Sequence, residues 1–216
     1  MDDRSAASTT AVDTRFDRWA GWAAVAAVVA SLVYTVGFVG GSRGFIDSNF
    51  GSLLASNGLT AGGLLSAVAL FAVYARVRGA GPLATLGLVL ALFGTIGAAL
   101  HGAYDLANVL HPEAAGTAGG GPFPADPRGF LTFGVAGLGV LALSCAGLKG
   151  GRLPRNLLYL GLLFGVVLVV IYLGRLIVLD ATSPLVLGPA VVGAVISPIW
   201  YGWLAYLLLK GRAGSA

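Results

Sequence analysis

The chain of 216 residues is dominated by apolar side chains, which make up 57% of the sequence, and it contains 34 glycines in addition. Charged residues account for 10% of the chain, against roughly 25% in an average soluble domain. The mean hydropathy is +0.88. This composition excludes a soluble globular enzyme, a disordered chain and a nucleic-acid-binding module, and it indicates an integral membrane protein.

Continuous apolar runs long enough to cross a bilayer recur along the chain. A spanning helix needs about 20 mainly apolar residues, and the runs show no alternation of period two, so they predict helices rather than a barrel. The six predicted spans are Trp19–Val39, Leu53–Ala75, Leu83–Leu110, Phe130–Leu148, Leu157–Leu179 and Leu185–Leu209. We therefore expect an all-α polytopic membrane protein, with one six-helix transmembrane bundle over residues 19–210. Residues 1–18 are expected to form a flexible cytoplasmic tail, and residues 211–216 a second cytoplasmic tail.

The cations are distributed unevenly between the two sides of the predicted bundle. Ten of the thirteen lie in the two tails or in the loops after the second and fourth spans: Arg4, Arg15, Arg18, Arg76, Arg78, Lys149, Arg152, Arg155, Lys210 and Arg212. Arg43 and Arg128 lie in loops on the other side, and Arg175 lies within the fifth span. Cytoplasmic loops carry the excess of Lys and Arg, so this pattern predicts a cytoplasmic-membrane protein with both termini in the cytoplasm. The cations form no run typical of nucleic-acid binding or anionic-lipid clustering, and we expect no nucleic-acid partner.

Polar and ionisable side chains collect near the outer end of the predicted bundle. They are His101, Tyr104, Asp105 and Asn108 in the third span, Tyr172 and Arg175 in the fifth span, and Asn57 in the second span. The four in the third span follow the spacing i, i+3, i+4, i+7 and therefore share one helix face. At a rise of about 1.5 Å per residue, all of them fall in the outer third or at the outer edge of a core roughly 30 Å thick. Ionisable groups in a membrane usually pair inside the bundle, so we predict that these side chains converge, with Asp105 and Arg175 as an ion pair.

Three interpretations of this predicted cluster stay open. It is an interhelical pin that holds the bundle together, or a pocket in which Arg175 holds the anionic group of a small polar or amphiphilic ligand. The third is an intramembrane enzyme that uses His101 and Asp105 for acid–base chemistry. We expect a non-catalytic protein that binds or passes a small ligand, or that serves as a subunit of a membrane partner, with the enzyme as the alternative.

The sequence predicts neither a cofactor nor a metal site. Haem in a helical bundle usually needs two axial histidines, and His111 lies about 15 Å along the helix from His101, too far for both to ligate one haem. Zinc needs three or four ligands at suitable spacing, which His101, Asp105, His111 and Glu113 do not provide.

Two short motifs resemble those of a known family. The turn from Gly151 to Leu162 reads GRLPRNLLYLGL and resembles the LPRWLGWLGL turn of bacterial six-span proteins. The end from Trp203 to Gly211 reads WLAYLLLKG and resembles their LWLLVKG terminus. The chain thus resembles a large uncharacterised family of six-helix bacterial integral membrane proteins, a domain of unknown function, although Asn156 replaces the usual aromatic residue. The resemblance implies a multi-pass protein of the cell membrane and supplies no catalytic residues.

Overall fold

The computed structural model describes residues 3–115, 128–150, 152–178 and 183–211, with side chains from Arg15 onward. Within these ranges, six helices are long and apolar enough to cross a membrane, which confirms the predicted all-α, six-span fold. They are α1 (Asp3–Ser42), α2 (Ser48–Val77), α3 (Pro82–Leu110), α4 (Phe130–Gly150), α5 (Arg155–Ile177) and α6 (Pro184–Leu209). A 3-10 turn, Arg78–Ala80, follows α2, and a single helical turn, Pro112–Ala115, follows α3.

The helices extend somewhat beyond the predicted spans. Helix α1 begins at Asp3, so the segment expected to be a flexible tail continues the first helix. Proline and glycine are absent between Asp3 and Gly21, so the local sequence has nothing to end a helix there. Residues 116–127 of the loop before α4, Leu179 at the end of the fifth predicted span, and residues 212–216 of the C-terminal tail lie outside the described residues.

Local signals set where several helices begin. The carboxylate of Asp47 accepts a hydrogen bond from the amide of Phe50 at 3.0 Å and so caps the first turn of α2. Pro82 and Pro184 occupy the first turns of α3 and α6, where a missing amide hydrogen costs no helical hydrogen bond. These caps fix the loops, and the loops reverse the chain between consecutive helices.

The six helices form a closed, up-and-down ring. Each helix packs against the next one along the chain, and α6 packs back against α1. Gly21, near the start of the membrane-crossing part of α1, packs against Leu209 at the end of α6. Asp17 forms an ion pair with Arg76 at the end of α2, at 2.7 Å. We call this end of the bundle, which carries the start of α1 and the end of α6, the basic face, and the other end the opposite face.

The apolar core begins next to the basic face and extends along α5 to Ile171, one turn before Arg175. Its members include Ala24 of α1, Val73 of α2, Leu143 of α4, Phe164 of α5 and Leu204 of α6. Phe164, Trp200 and Tyr201 pack their rings together in this core, and the Trp200 indole donates a hydrogen bond to the Leu157 carbonyl at 3.2 Å. The last residue that α3 contributes to the core is Ala91. Beyond that level, the described part of α3 carries the polar residues of the predicted site.

The outward surface of the ring is apolar, as contact with lipid requires. Phe93, Leu100, Leu163, Ile177 and Val195 are among its exposed side chains. In a soluble protein a continuous apolar surface of this extent would promote aggregation. The surface is therefore suited to contact with the hydrocarbon core of a bilayer.

Glycines allow neighbouring helix backbones to approach closely. A Cβ on Gly94 of α3 would lie 2.4 Å from the Cα of Ala136 in α4, and a Cβ on Gly139 of α4 would lie 2.4 Å from the amide nitrogen of Ala91. Between α2 and α3, a Cβ on Gly63 would lie 2.5 Å from the carbonyl of Thr95. In a membrane, such close packing is a main source of helix association.

Replacing Gly94 by Ala is expected to destabilise the bundle by about 1–3 kcal/mol, because the added methyl group forces α3 and α4 apart. Gly188 in α6 is the matched control, since an added Cβ there meets no atom within 4 Å. Alanine at that position should be neutral or stabilising by about 0.5–1 kcal/mol. Thermal unfolding in detergent measures both variants, and equal behaviour of the two would contradict the packing described here.

Candidate functional site

The face of α3 that contacts α4 is set by small residues. Gly94 packs on Ala136, and Gly97 packs on Leu131. His101 and Asp105 lie one and two turns beyond Gly97 on the same helix face. They are therefore directed toward the first residues of α4, at the opposite face of the bundle.

Helix α4 begins with an unusual segment. Residues Phe130–Val135 form a π-helix, in which the amide of Ala136 donates to the carbonyl of Leu131, five residues earlier. This segment packs against both α3 and α5. Single π-helical turns inside α-helices occur frequently at functional sites. Here the π-helix lies between the predicted site residues of α3 and those of α5.

Asp105 forms an ion pair with Arg128, one turn before the π-helix. The guanidinium Nη1 donates to Asp105 Oδ1 at 2.8 Å, and the guanidinium carbon lies 4.3 Å from the centre of the Tyr104 ring. The side chains of Asp105 and Arg128 are 39% and 30% exposed. Because solvent screens a pair this accessible, the contact contributes only about 0.2–1 kcal/mol to stability. It nevertheless fixes the position of both charges between α3 and α4.

His101 links the same two helices through Thr132. The Thr132 hydroxyl donates to the Arg128 carbonyl at 2.9 Å, so its oxygen is left to accept the Nδ1–H of His101, 3.1 Å away. The other ring nitrogen, Nε2, lies 3.5 Å from Asp105 Oδ2. That distance exceeds the 2.7–3.2 Å range of N–H···O hydrogen bonds. The Thr132 hydroxyl thus orients the imidazole through Nδ1.

The predicted ion pair between Asp105 and Arg175 is not formed. The carboxylate of Asp105 is held by Arg128 instead, and its second oxygen faces His101. The reason is topological, since α4 packs between α3 and α5 along the ring and its π-helix contacts both of them. Among the described residues, no carboxylate lies within 4 Å of the Arg175 guanidinium.

Tyr34 of α1 connects the two separated charges. Asp105 and Arg175 are both close enough to Tyr34 for their charges to act on its hydroxyl. Tyr34 is half-buried, and its ring stacks on Phe38 with the centroids 5.8 Å apart. Residues of α1, α3 and α5, which alternate around the ring, thus share one electrostatic environment near the opposite face. We call Tyr34, Asp105 and Arg175 the triangle, of which Asp105 and Arg175 carry the charges.

The other predicted site residues lie at varying distance from this triangle. Tyr172 packs on the π-helix, with its ring 5.3 Å from that of Phe130, and Asn108 is half-buried on α3. Asn57 is separate from the cluster. It lies on the outward side of α2, because Gly58 packs on α1 and Thr60 lies against Gly102 of α3. Its amide donates to the Leu53 carbonyl at 2.8 Å, which satisfies one of its two amide hydrogens.

Sequence reasoning missed Arg128, Thr132 and Tyr34. Arg128 was assigned to a loop because it precedes the apolar run, yet it belongs to the first turn of the helix that follows. Its position at the start of the next span was the available signal, since consecutive helices usually pack together. Thr132 is an isolated polar residue in an apolar run, Tyr34 lies beside Thr35 in another, and no spacing pattern links either of them to the predicted cluster.

Thr132 is not placed to act as a nucleophile. The order of Thr132, His101 and Asp105 is that of a hydroxyl nucleophile, a base and an orienting acid. However, Thr132 is only 6% exposed, and its hydroxyl already donates its hydrogen to the backbone. A substrate has no access to that oxygen. Within the described residues, no group of three or more His, Cys, Asp or Glu side chains is placed to hold a metal ion.

Comparison with known proteins identifies no relative. No family model, no curated protein and no solved structure matches this chain. The resemblance to six-helix bacterial membrane proteins therefore rests on the two short motifs described above and on the six-helix architecture.

Replacing Thr132 by Val is expected to lower stability by about 0.6–1 kcal/mol, because the substitution removes the interhelical hydrogen bond to His101. Thr60→Val is the matched control, since the Thr60 hydroxyl donates to Ser56 of its own helix at 2.8 Å. Thermal unfolding in detergent measures both changes. In a His101→Leu background, Thr132→Val should cost no more than Thr60→Val, and an unchanged cost there would contradict the contact.

Proposed function

We propose that the protein is a membrane-embedded binding protein for a small anionic molecule, which enters from the opposite face and places its charged group at Arg175. The observation that carries this proposal is the separation of Arg175 from Asp105. The bundle neutralises Asp105 with Arg128, while Arg175 has no carboxylate partner among the described residues. An embedded arginine is costly, and such residues commonly mark ligand pathways.

The neighbours of Arg175 support recognition of an anion. A guanidinium binds carboxylate or phosphate through two parallel hydrogen bonds. Tyr34 lies in the same part of the bundle, near enough for the Arg175 charge to act on it, and it carries a hydroxyl that is a hydrogen-bond donor. Arg128 adds a second cation near the opposite face. Among the described residues, this end of the bundle carries Arg43, Arg128 and Arg175 beside Asp47, Asp105 and Glu113, so the recognition of an anion rests on Arg175 itself and not on a net positive charge.

The distribution of packing supports binding rather than open conduction. The apolar core closes the half of the bundle next to the basic face, with Val73, Leu143, Leu157 and Leu204 fully buried. A ligand held at Arg175 would meet this core and stop there. Transport through the protein would need a second conformation in which these side chains separate.

We further propose that the chain is a cytoplasmic-membrane protein of a bacterium with its basic face in the cytoplasm. The uneven distribution of cations supports this orientation, because ten of thirteen lie at the two tails and the loops of the basic face. Membership of the uncharacterised six-helix family belongs to the same proposal and is supported by the Gly151–Leu162 and Trp203–Gly211 motifs.

The proposal is tested by titrating the full chain in detergent with inorganic phosphate, a short-chain carboxylate and a sulfonate while thermal unfolding is followed. At a hundredfold excess over its Kd, a ligand adds about 2.7 kcal/mol to the free energy of unfolding. We expect at least one anion to raise the unfolding midpoint of the wild type. Arg175→Gln should abolish the rise, because it removes the anion-binding charge.

Arg43→Gln is the matched control for this titration. Arg43 is an exposed arginine at the same end of the bundle, so its loss removes equal charge without touching the triangle. It should leave the rise in place. An interhelical pin would instead show a lowered midpoint for Arg175→Gln and no response of any variant to anions, and that result would reject the binding proposal.

A further inference from the structure

A continuous stripe of residues runs along the outward side of α1, from the basic face toward mid-membrane. Its members are spaced at three or four residues and share one helix face: Arg15, Arg18, Trp22, Val25, Val29 and Val33. Two exposed arginines stand at the basic end, an exposed tryptophan follows, and the rest is apolar. We call this set the α1 stripe.

The apolar part of the α1 stripe forms one wall of a groove against α2. The groove has a volume of about 520 Å³ and runs from Trp22 to the level of Asn57 and Val33. Small residues of both helices, including Ala26, Ala30, Gly58 and Ala61, line the groove and make room for it. From Trp22 to Val33 the helix rises about 16 Å, close to half of a hydrocarbon core roughly 30 Å thick.

A second hollow of about 260 Å³ adjoins the groove at the basic end. It is lined by Arg15, Arg18, Trp19 and Trp22, and Trp22 borders both cavities. Asp17, the nearest acid in sequence, is bound to Arg76 at 2.7 Å. Among the described side chains, no carboxylate lies within 4 Å of Arg15 or Arg18. Among the described side chains, the hollow therefore contains two cations and no carboxylate, and aromatic rings border it.

We infer that this surface binds one anionic phospholipid. The phosphate sits between Arg15 and Arg18, the indoles of Trp19 and Trp22 lie at the level of the headgroup and glycerol, and one acyl chain occupies the groove toward Val33. Arginine suits a phosphate because its planar guanidinium donates two parallel hydrogen bonds. Tryptophan favours the membrane interface, where its ring is buried and its N–H stays hydrated. The two arginines of the hollow and the apolar groove beside it thus both match an anionic phospholipid.

The site is not visible as a basic run in the sequence. Its two cations lie three residues apart in the chain, and the helical period brings them to the same face of α1. Asp17 does not neutralise them, because it is paired with Arg76. The groove needs α2 as its second wall. The inference is independent of the anion proposed at Arg175, which lies in the other half of the bundle.

Native mass spectrometry of the full chain in mild detergent tests this inference, with phosphatidylglycerol and phosphatidylcholine of identical acyl chains as probes. We expect phosphatidylglycerol to be retained more strongly. The double variant Arg15→Gln/Arg18→Gln should lower its affinity by roughly tenfold, since each surface cation contributes to binding an anionic lipid. Ala61→Phe, which fills the groove from the exposed side of α2, should weaken binding of both lipids.

Arg78→Gln/Arg155→Gln is the matched control, because it removes two exposed cations of the basic face that do not line the hollow. It should change lipid affinity less than about twofold. Equal retention of the two lipids, an equal loss in the control, or unchanged binding in Ala61→Phe would each overturn the inference. A lipid-free dimer that disappears in Arg15→Gln/Arg18→Gln would also overturn it, because a second copy of the chain would then occupy the stripe.

Discussion

The close approach of α3 and α4 is the constraint on which the candidate site depends. Gly94 and Gly139 leave no room for a side chain between the two backbones, and Gly97 packs on the Leu131 side chain, so the contact fixes how each helix is rotated. Once α3 is held in this way, the helical period directs His101 and Asp105 toward the start of α4. The hydrogen bond to Thr132 and the ion pair with Arg128 then follow from the packing. A polar network at the opposite face is thus positioned by glycines deeper in the bundle.

The same packing keeps the embedded charges apart. Because α4 lies between α3 and α5, Asp105 is neutralised by Arg128, and Arg175 shares its surroundings with Tyr34 of α1. Arg175 lies in the last turn of α5, at the edge of the apolar span, where a charge still carries a desolvation cost. In the binding proposal, an anionic ligand at Arg175 offsets that cost. The apolar core blocks the way to the basic face, so the ligand would be held rather than passed through.

The composition and the apolar runs were sufficient to predict six membrane-crossing helices, because lipid imposes a length and a hydropathy that leave few alternatives. The shared face of His101 and Asp105 was also predictable from helical spacing. The partner of Asp105 was not, because spacing along one helix does not reveal which helix packs beside it. The predicted position of Asn57 in the cluster was wrong for the same reason. Gly58 packs on α1 and Thr60 on α3, and this rotation of α2 turns Asn57 outward. Both errors concern the order of helices in space, and one sequence carries little information about that order.

The claim that Asp105 is paired with Arg128 and not with Arg175 is tested most directly by two double-mutant cycles on unfolding in detergent. One cycle combines Asp105→Asn with Arg128→Gln, and the other combines Asp105→Asn with Arg175→Gln. The structure predicts a coupling of about 0.5–1 kcal/mol in the first cycle, as for a partly exposed ion pair, and none beyond experimental error in the second. A coupling confined to the second cycle would contradict the helix order, the assignment of Arg128 and the availability of Arg175 for an anion.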